Sequence, residues 1–440
     1  MRAATKVIIS LTCTFIVHLS SYQQVFAKES LSGLKDYPFQ PVTEGNWMQE
    51  GNLRWMARNF SVKPTLLLSR GNQIFDIPRK ATSDIEQRTF SLPGDLGQIS
   101  ILEALEAADT DAYMVIRDGT IIYERYFHDF SEYSHHSWFS SAKSLIGMAM
   151  GILVTEHKID VGKTPADYLP PLKGSAFDKA TIRQTLNMTT ALGYTFEDSA
   201  LQTGHFRHEY YARAGMLPAF EIFTKTLNPK TASVPRGIRG MTPLLQTAPQ
   251  FVPGETFSYQ NINVDIAGWL IEEISGMPLH HFLRDRIWAK LQTEHDALIP
   301  VDPNYTALAS GGFSSTLRDA ARFALAVLYE GKLGDETIFP TSWIRETYNY
   351  SEAEAKAFAN HSKQPGPDFS ALGAIKAYKN YWYIFDRNQG AMATRGFAGQ
   401  SIYINKEKSV AILTFASAPQ DKRDNSSRLM YLTHLLANDL

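Results

Sequence analysis

Strand-forming sequence lies at both ends of this 440-residue chain and helix-forming sequence fills the middle, a distribution that few folds can satisfy. Near the start, residues 112–117 and 120–127 are β-rich runs joined by Asp118-Gly119, a dipeptide that readily takes the positive φ values of a tight hairpin turn. A short amphipathic helix at 99–108 precedes them. Strands return only late, at 381–386 and in a second hairpin of 400–404 with 409–415, before a closing helix from about 425 to 437. In between, from about 145 to 334, the pattern is mainly helical. Thr181 can cap a helix carrying Ile182, Leu186 and Met188, and Ile262, Ile266, Trp269, Leu270 and Ile274 mark another that stops at Gly276 with Pro278 beyond. Thr316-Leu317-Arg318-Asp319 resembles a capping box opening a third, which ends at Gly331. One antiparallel sheet built from the two termini, flanked by helices and carrying an inserted all-helical lobe, is the simplest arrangement: an α/β fold of the α+β layered kind. The sheet part is expected at about 99–138 and 335–440, the lobe at about 139–334.

The first 27 residues have the plan of an export signal. Arg2 and Lys6 come first, then the apolar run 7–19, then Val25-Phe26-Ala27 with small residues at the cleavage positions. Cleavage is expected after Ala27, giving a periplasmic or extracellular protein. The one cysteine, Cys13, lies inside that run without the small residue that precedes a lipidated cysteine, so the mature chain has no thiol. That excludes a cysteine nucleophile, a disulfide framework and thiolate metal sites. Losing Arg2 and Lys6 takes the formal charge from −2 to −4, which suggests neither nucleic acid nor an anionic membrane surface. Residues 28–98 are aromatic and irregular, with Trp47 and Trp55 spaced for packing, and read as an N-terminal extension wrapped on the body formed by 99–440.

The chemistry centres on Trp138-Phe139-Ser140-Ser141-Ala142-Lys143-Ser144, which runs into the apolar stretch 145–154. If that stretch is a helix, it is apolar nearly all round, as a central buried helix is, and too short to span a bilayer. Ser140 and Lys143 then share one face at its N-terminal end, a nucleophile beside a base. The free N–H groups and positive dipole end there suit a developing oxyanion. Ser-x-x-Lys alone is weak, since about one or two chance matches are expected in such a chain. Ser32-Gly33-Leu34-Lys35 is a second match, but it holds a glycine and leads to Tyr37-Pro38 instead of an apolar helix.

A hydrolase also needs a second proton carrier and an oxyanion site. Tyr259-Gln260-Asn261 lies on a turn just before a helix. A phenol near a cationic lysine can ionise more easily and relay a proton, and an amide can hold Lys143 or a substrate carbonyl. Tyr378-Lys379-Asn380 and Tyr403-Ile404-Asn405 share the spacing, but a Lys-rich stretch and a strand interior suit packing roles better. Gly396 in Arg395-Gly396-Phe397-Ala398-Gly399-Gln400 allows close backbone approach at the start of the last hairpin, so the Phe397 N–H could join that of Ser140 as an oxyanion hole. A strand-start bulge would use the same glycine.

These elements, in this order between strands at both ends, resemble the penicillin-recognising serine hydrolases with their β-lactamase/transpeptidase-like fold. Within them the chain is most similar to the 6-aminohexanoate-dimer hydrolase branch, near class C β-lactamases and related esterases. The likeness runs from about 45 to 440 and takes in Arg117-Asp118-Gly119, Leu186-Asn187-Met188-Thr189-Thr190, Gly311-Gly312-Phe313 and Gly396-Phe397-Ala398-Gly399-Gln400. It implies Ser140 as acylated nucleophile, Lys143 as its base partner, Tyr259 as proton relay, Asn261 as supporting amide and the Phe397 N–H as second oxyanion donor. Together with the export signal, the expectation is a secreted hydrolase of a small-molecule amide or ester that uses no cofactor and no metal. Alternatives on the same fold are a penicillin-binding-like sensor that acylates without turnover, a D-amino-acid peptidase and a β-lactamase. The chain departs from the pattern at Thr394-Arg395, where many relatives carry Lys or His followed by Thr or Ser, and at Thr189-Thr190-Ala191-Leu192-Gly193. The branch's substrate-lid tyrosine and aspartate are not assignable within 197–211.

Other groupings carry less. His205-x-x-His208 has metal-like spacing without an HExxH motif or an acidic partner. His135-His136 and His280-His281 suit surface or packing roles. There is no Gly-x-Ser-x-Gly elbow and no P-loop, which argues against an α/β-hydrolase and a nucleotide enzyme.

Overall fold

Asp118 and Gly119 adopt φ values of 50° and 74°, the positive pair that a two-residue hairpin turn demands. They join β1 (Thr110–Arg117) to β2 (Thr120–Tyr126). The partners come from the other end of the chain: β3 (Ala377–Lys379), β4 (Trp382–Asp386), β5 (Ala391–Arg395), β6 (Ser401–Asn405) and β7 (Val410–Ala416). Together they form one seven-stranded sheet in the order β3-β4-β5-β6-β7-β1-β2, antiparallel at every pairing. Val410 lies opposite Arg117 and Thr414 opposite Tyr113, so the last strand is stitched to the first. Every residue of β7 and all but Arg117 of β1 are buried, which is why both read as continuous apolar runs and not as alternating ones.

This computed structural model describes residues 46–49, 51–59, 63–82, 84–94, 96–193, 210–211, 213–214, 236–361 and 369–440. All of them fall in one compact unit, Thr43–Leu440. Residues 1–27, expected to be an export signal, with Cys13, the Ser32/Lys35 pair, the His205/His208 pair and most of 197–211 lie outside the described residues.

Four helices matter for the site: α1 (Ala142–Thr155), α2 (Asn261–Ser275), α3 (Leu317–Leu328) and α4 (Arg423–Asp439). α1 packs on α2, while α3 and α4 each lie on β6 and β7. Residues Ala142 to Leu153 of α1 are buried without a break, including Lys143 and Ser144. Glycine makes so central a position possible: a Cβ on Gly147 would stand 2.2 Å from the Asn380 carbonyl oxygen. α2 ends at Gly276 in the left-handed conformation, as its sequence requires. At α3 the Thr316 hydroxyl accepts the Asp319 N–H at 3.2 Å, but the Asp319 carboxylate turns to the N–H groups of Glu294 and His295. The reciprocal half of the expected box is therefore diverted to fasten a loop.

Two stretches differ from the sequence reading. The middle of the chain is not helical throughout, because Ala297–Pro300 and Ser314–Ser315 are strands. They join Thr65–Leu68 and His136–Ser137 in a second, four-stranded antiparallel sheet. Strands of two to four residues are too short for periodicity to register. The N-terminal region is also more ordered than an irregular extension. Asn52–Arg58 is helical, and Arg54 and Arg58 bind the buried Asp111 of β1 at 3.1 and 2.5 Å.

Candidate active site

Ser140 stands on a 3-10 turn, Phe139–Ser141, that runs directly into α1. Three bonds pin the approach to it. The Trp138 N–H donates to the Phe313 carbonyl at 2.7 Å, the Trp138 indole N–H to the Ser315 hydroxyl at 2.9 Å, and the Phe139 N–H to the Ser137 hydroxyl at 3.1 Å. They hold Phe139 at φ 44°, a region that a bulky residue enters only at a cost of about 1–3 kcal/mol. Strain of this kind, next to the serine, fixes the direction in which Ser140 leaves the turn.

Lys143 Nζ donates to Ser140 Oγ at 2.8 Å and also to the Ser310 carbonyl. The amine is 1% exposed, and burial lowers its proton affinity, opposed by the negative charge of Asp265. A lysine so placed holds a neutral amine far more readily than one in water, which is what a base for a serine hydroxyl must be. Ser141, one residue on, turns away and donates to the Gln400 carbonyl at 3.3 Å.

Tyr259 closes the group from the other side. Its ring centroid lies 5.2 Å from Lys143 Nζ, its hydroxyl is hydrogen-bonded with Ser140, and its ring stacks on Phe369 at 5.1 Å. The expected easing of its ionisation by a lysine cation is overturned. Burial drives the Tyr259 phenol well above its ordinary value, because loss of hydration outweighs every neighbouring charge. Tyr259 is thus a neutral phenol, a proton donor at rest. Asn261 is the first residue of α2 and its amide donates to the Tyr211 hydroxyl at 2.7 Å.

The turn Phe397–Gly399 lies beside the serine turn. A Cβ on Gly396 would sit 2.4 Å from the Trp138 carbonyl oxygen, so only glycine permits the approach. The rings of Phe139 and Phe397 then meet edge to face at 5.6 Å. Ser140 lies in the first turn of a helical segment, where backbone N–H groups project without an intrahelical acceptor, while Phe397 opens a tight turn in which Ala398 takes φ 64°. Trp47 packs on Phe397 at 5.6 Å, and Leu53 and Ala57 complete a small apolar cluster over these turns, so the N-terminal region adjoins the site. Arg395, just before Gly396, donates to the Phe369 carbonyl at 2.9 Å and to the Ser427 hydroxyl at 3.1 Å and lies over the Tyr383 ring.

The site therefore brings Ser140, Lys143, Tyr259, Gly396 and Phe397 together, and Asn261 reaches Tyr211. Sequence reasoning missed Ser310, whose contribution is a backbone carbonyl, and Asp265, a carboxylate one helical turn after Asn261. A lone acid among Ile262, Val264, Ile266 and Ala267 was the available signal.

Comparison with known proteins places these residues in a family. The sequence profile described as Beta-lactamase matches residues 100–436. The 6-aminohexanoate-dimer hydrolase of Paenarthrobacter ureafaciens is 27% identical over 385 residues, which is 86% of this chain and 88% of that protein. A Bacillus anthracis structure provisionally named a 6-aminohexanoate-dimer hydrolase superposes with a TM-score of 0.75 at 27% identity, covering 91% of this chain and 98% of that one. The octameric penicillin-binding protein homologue of Pyrococcus abyssi shares the fold, with a TM-score of 0.52 at 16% identity over 76% of each chain.

Proposed function

The chain belongs to the Beta-lactamase family and is a serine hydrolase related to 6-aminohexanoate-dimer hydrolases, and on that premise we propose that it cleaves a small-molecule amide or ester through an acyl-Ser140 intermediate. The observation that carries this reading is the 2.8 Å hydrogen bond from a buried, proton-poor Lys143 to Ser140 Oγ. Lys143 takes the hydroxyl proton as Ser140 Oγ attacks the substrate carbonyl, and the N–H groups of Ser140 and Phe397 receive the negative charge that develops on the carbonyl oxygen. The Tyr259 phenol gives its proton to the departing amine or alcohol and regains one from the Lys143 ammonium. Water then attacks the ester on Ser140, with the same base and the same oxyanion donors, and releases the acid.

Incubation of the mature protein with p-nitrophenyl butyrate tests this, with steady release of nitrophenol and a transient butyryl mass on the Ser140 peptide as the expected result. A burst without steady release would favour a sensor on the same fold. Folded protein that neither releases nitrophenol nor gains mass would remove the enzyme reading. A panel of short amide oligomers, D-amino-acid peptides and esters, read by mass spectrometry, then ranks substrates. Export belongs to the same proposal. It is supported by Arg2, Lys6, the apolar run after them and Val25-Phe26-Ala27, and N-terminal sequencing of the secreted protein is expected to begin at Lys28.

A further inference from the structure

Asp265 lies on the buried face of α2, 2% exposed, between Val264 and Ile266. A carboxylate in such surroundings is costly unless its oxygens are satisfied. One oxygen accepts the Ser310 N–H at 3.0 Å and the other accepts the Tyr210 hydroxyl. The Ser310 backbone is bound on both sides of its Cα, because its carbonyl oxygen, in the next peptide group, accepts from Lys143 Nζ, which also reaches Ser140 Oγ. Hydrogen bonds thus link Tyr210 to Asp265 and Asp265 to the Ser310 backbone, whose carbonyl in turn meets Lys143 and, through it, the serine hydroxyl.

We propose that Asp265 is a positioning residue for the hydrolysis: by binding the Ser310 N–H it holds that residue's backbone so that the Ser310 carbonyl aims the Lys143 amine at Ser140, and its charge steadies the ammonium formed when Lys143 takes the serine proton. This rests on the reading of Ser140 as nucleophile and Lys143 as base. The physical case is that a buried amine makes a willing base but a poorly solvated ammonium, so the transition state gains most from a fixed negative charge nearby. Among the described residues, the titratable groups facing this pair are the phenols of Tyr210, Tyr259 and Tyr381, the last donating its hydroxyl to the Asn263 carbonyl at 2.8 Å. Burial pushes Tyr259 and Tyr381 well above their ordinary values, lowers Lys143 and raises Asp265, while the charges of Lys143 and Asp265 each oppose the shift of the other.

Asp265→Asn keeps the shape and the acceptor for the Ser310 N–H but removes the charge. On p-nitrophenyl butyrate kcat is expected to fall about tenfold, with KM within about twofold, since the charge acts only once the ammonium forms. The acid limb of kcat/KM is expected to move about one pH unit lower, because an amine without its anionic neighbour gives up its proton more easily. An unmoved limb, whatever the loss in kcat, would make Asp265 merely structural and overturn the proposal. A second measurement does not depend on that variant folding. Coupling is reciprocal, so Lys143→Met is expected to raise the titration midpoint of one buried aspartic carboxyl, followed by its protonated C=O infrared band with labelled aspartate, by about one unit. No displaced carboxyl would overturn the proposal. Failure of the underlying hydrolase reading would show separately, as wild-type protein that forms no adduct on Ser140.

Discussion

Ser140 and Ser141 are neighbours in sequence with opposite commitments: Ser140 Oγ receives the Lys143 amine at 2.8 Å, while Ser141 Oγ donates to the Gln400 carbonyl at 3.3 Å. Only one of two adjacent hydroxyls can therefore be activated. Ser140→Ala is expected to abolish the adduct formed with a fluorophosphonate, read as intact mass. Ser141→Ala is expected to retain most of it and to lose about 0.5–1.5 kcal/mol of stability with its hydrogen bond. A full adduct on the Ser140→Ala protein would move the nucleophile by one residue.

Lys143→Met is expected to lower kcat/KM at least a hundredfold, since an unassisted hydroxyl is a weak nucleophile at neutral pH. The sign of the pH dependence follows from the amine. Burial lowers its proton affinity, the neutral form is the base, and protonation on acidification removes it. The wild-type kcat/KM is therefore expected to rise with pH along an acid limb at about 7, instead of in the ordinary lysine range, to a plateau.

Tyr259→Phe separates leaving groups. A neutral phenol that donates to the departing group matters for an amine, which must be protonated to leave, and little for p-nitrophenoxide. Amide hydrolysis is expected to fall about a hundredfold or more, and p-nitrophenyl butyrate hydrolysis by less than about tenfold. Equal losses on both substrates would deny Tyr259 the donor role.

Gly396→Ala places a methyl group 2.4 Å from the Trp138 carbonyl oxygen. The two turns must then separate, and a destabilisation of about 1–3 kcal/mol by urea unfolding is expected together with loss of kcat. Wild-type stability and activity in this variant would mean that the close approach is not required.

Benzylpenicillin is expected to be a poor substrate. Arg395, at the position before Gly396, spends its guanidinium on the Phe369 carbonyl and the Ser427 hydroxyl. A β-lactam carboxylate would have to draw it away from both. Penicillin turnover as fast as that of p-nitrophenyl butyrate would contradict this.

The sheet was legible because Asp118-Gly119 supplies turn chemistry and because β1 and β7 are long enough to register as apolar runs. The pairing of Ser140 with Lys143 was legible because spacing of three is a local geometric rule. What escaped was nonlocal. Ser310 acts through a backbone atom on a loop between two very short strands, Ala297–Pro300 and Ser314–Ser315, and no side chain announces it. The direction of the Tyr259 shift depends on burial, which outweighs its neighbours and is fixed only when Phe369 stacks on it. Asp265 was visible as a residue, yet its meaning depends on which peptide it meets across the helix pair.

The pairing of β7 with β1 has a consequence for how the protein is made. The strand at residues 110–117 finds its mate only when residues 410–416 have been synthesised, so the central sheet cannot close on a growing chain. Contacts so distant in sequence are reached slowly, with a large loop-closure cost met before the sheet returns any stability. Throughout synthesis the emerging polypeptide therefore carries a hairpin with an unpaired edge, a template for aggregation until the last strand arrives.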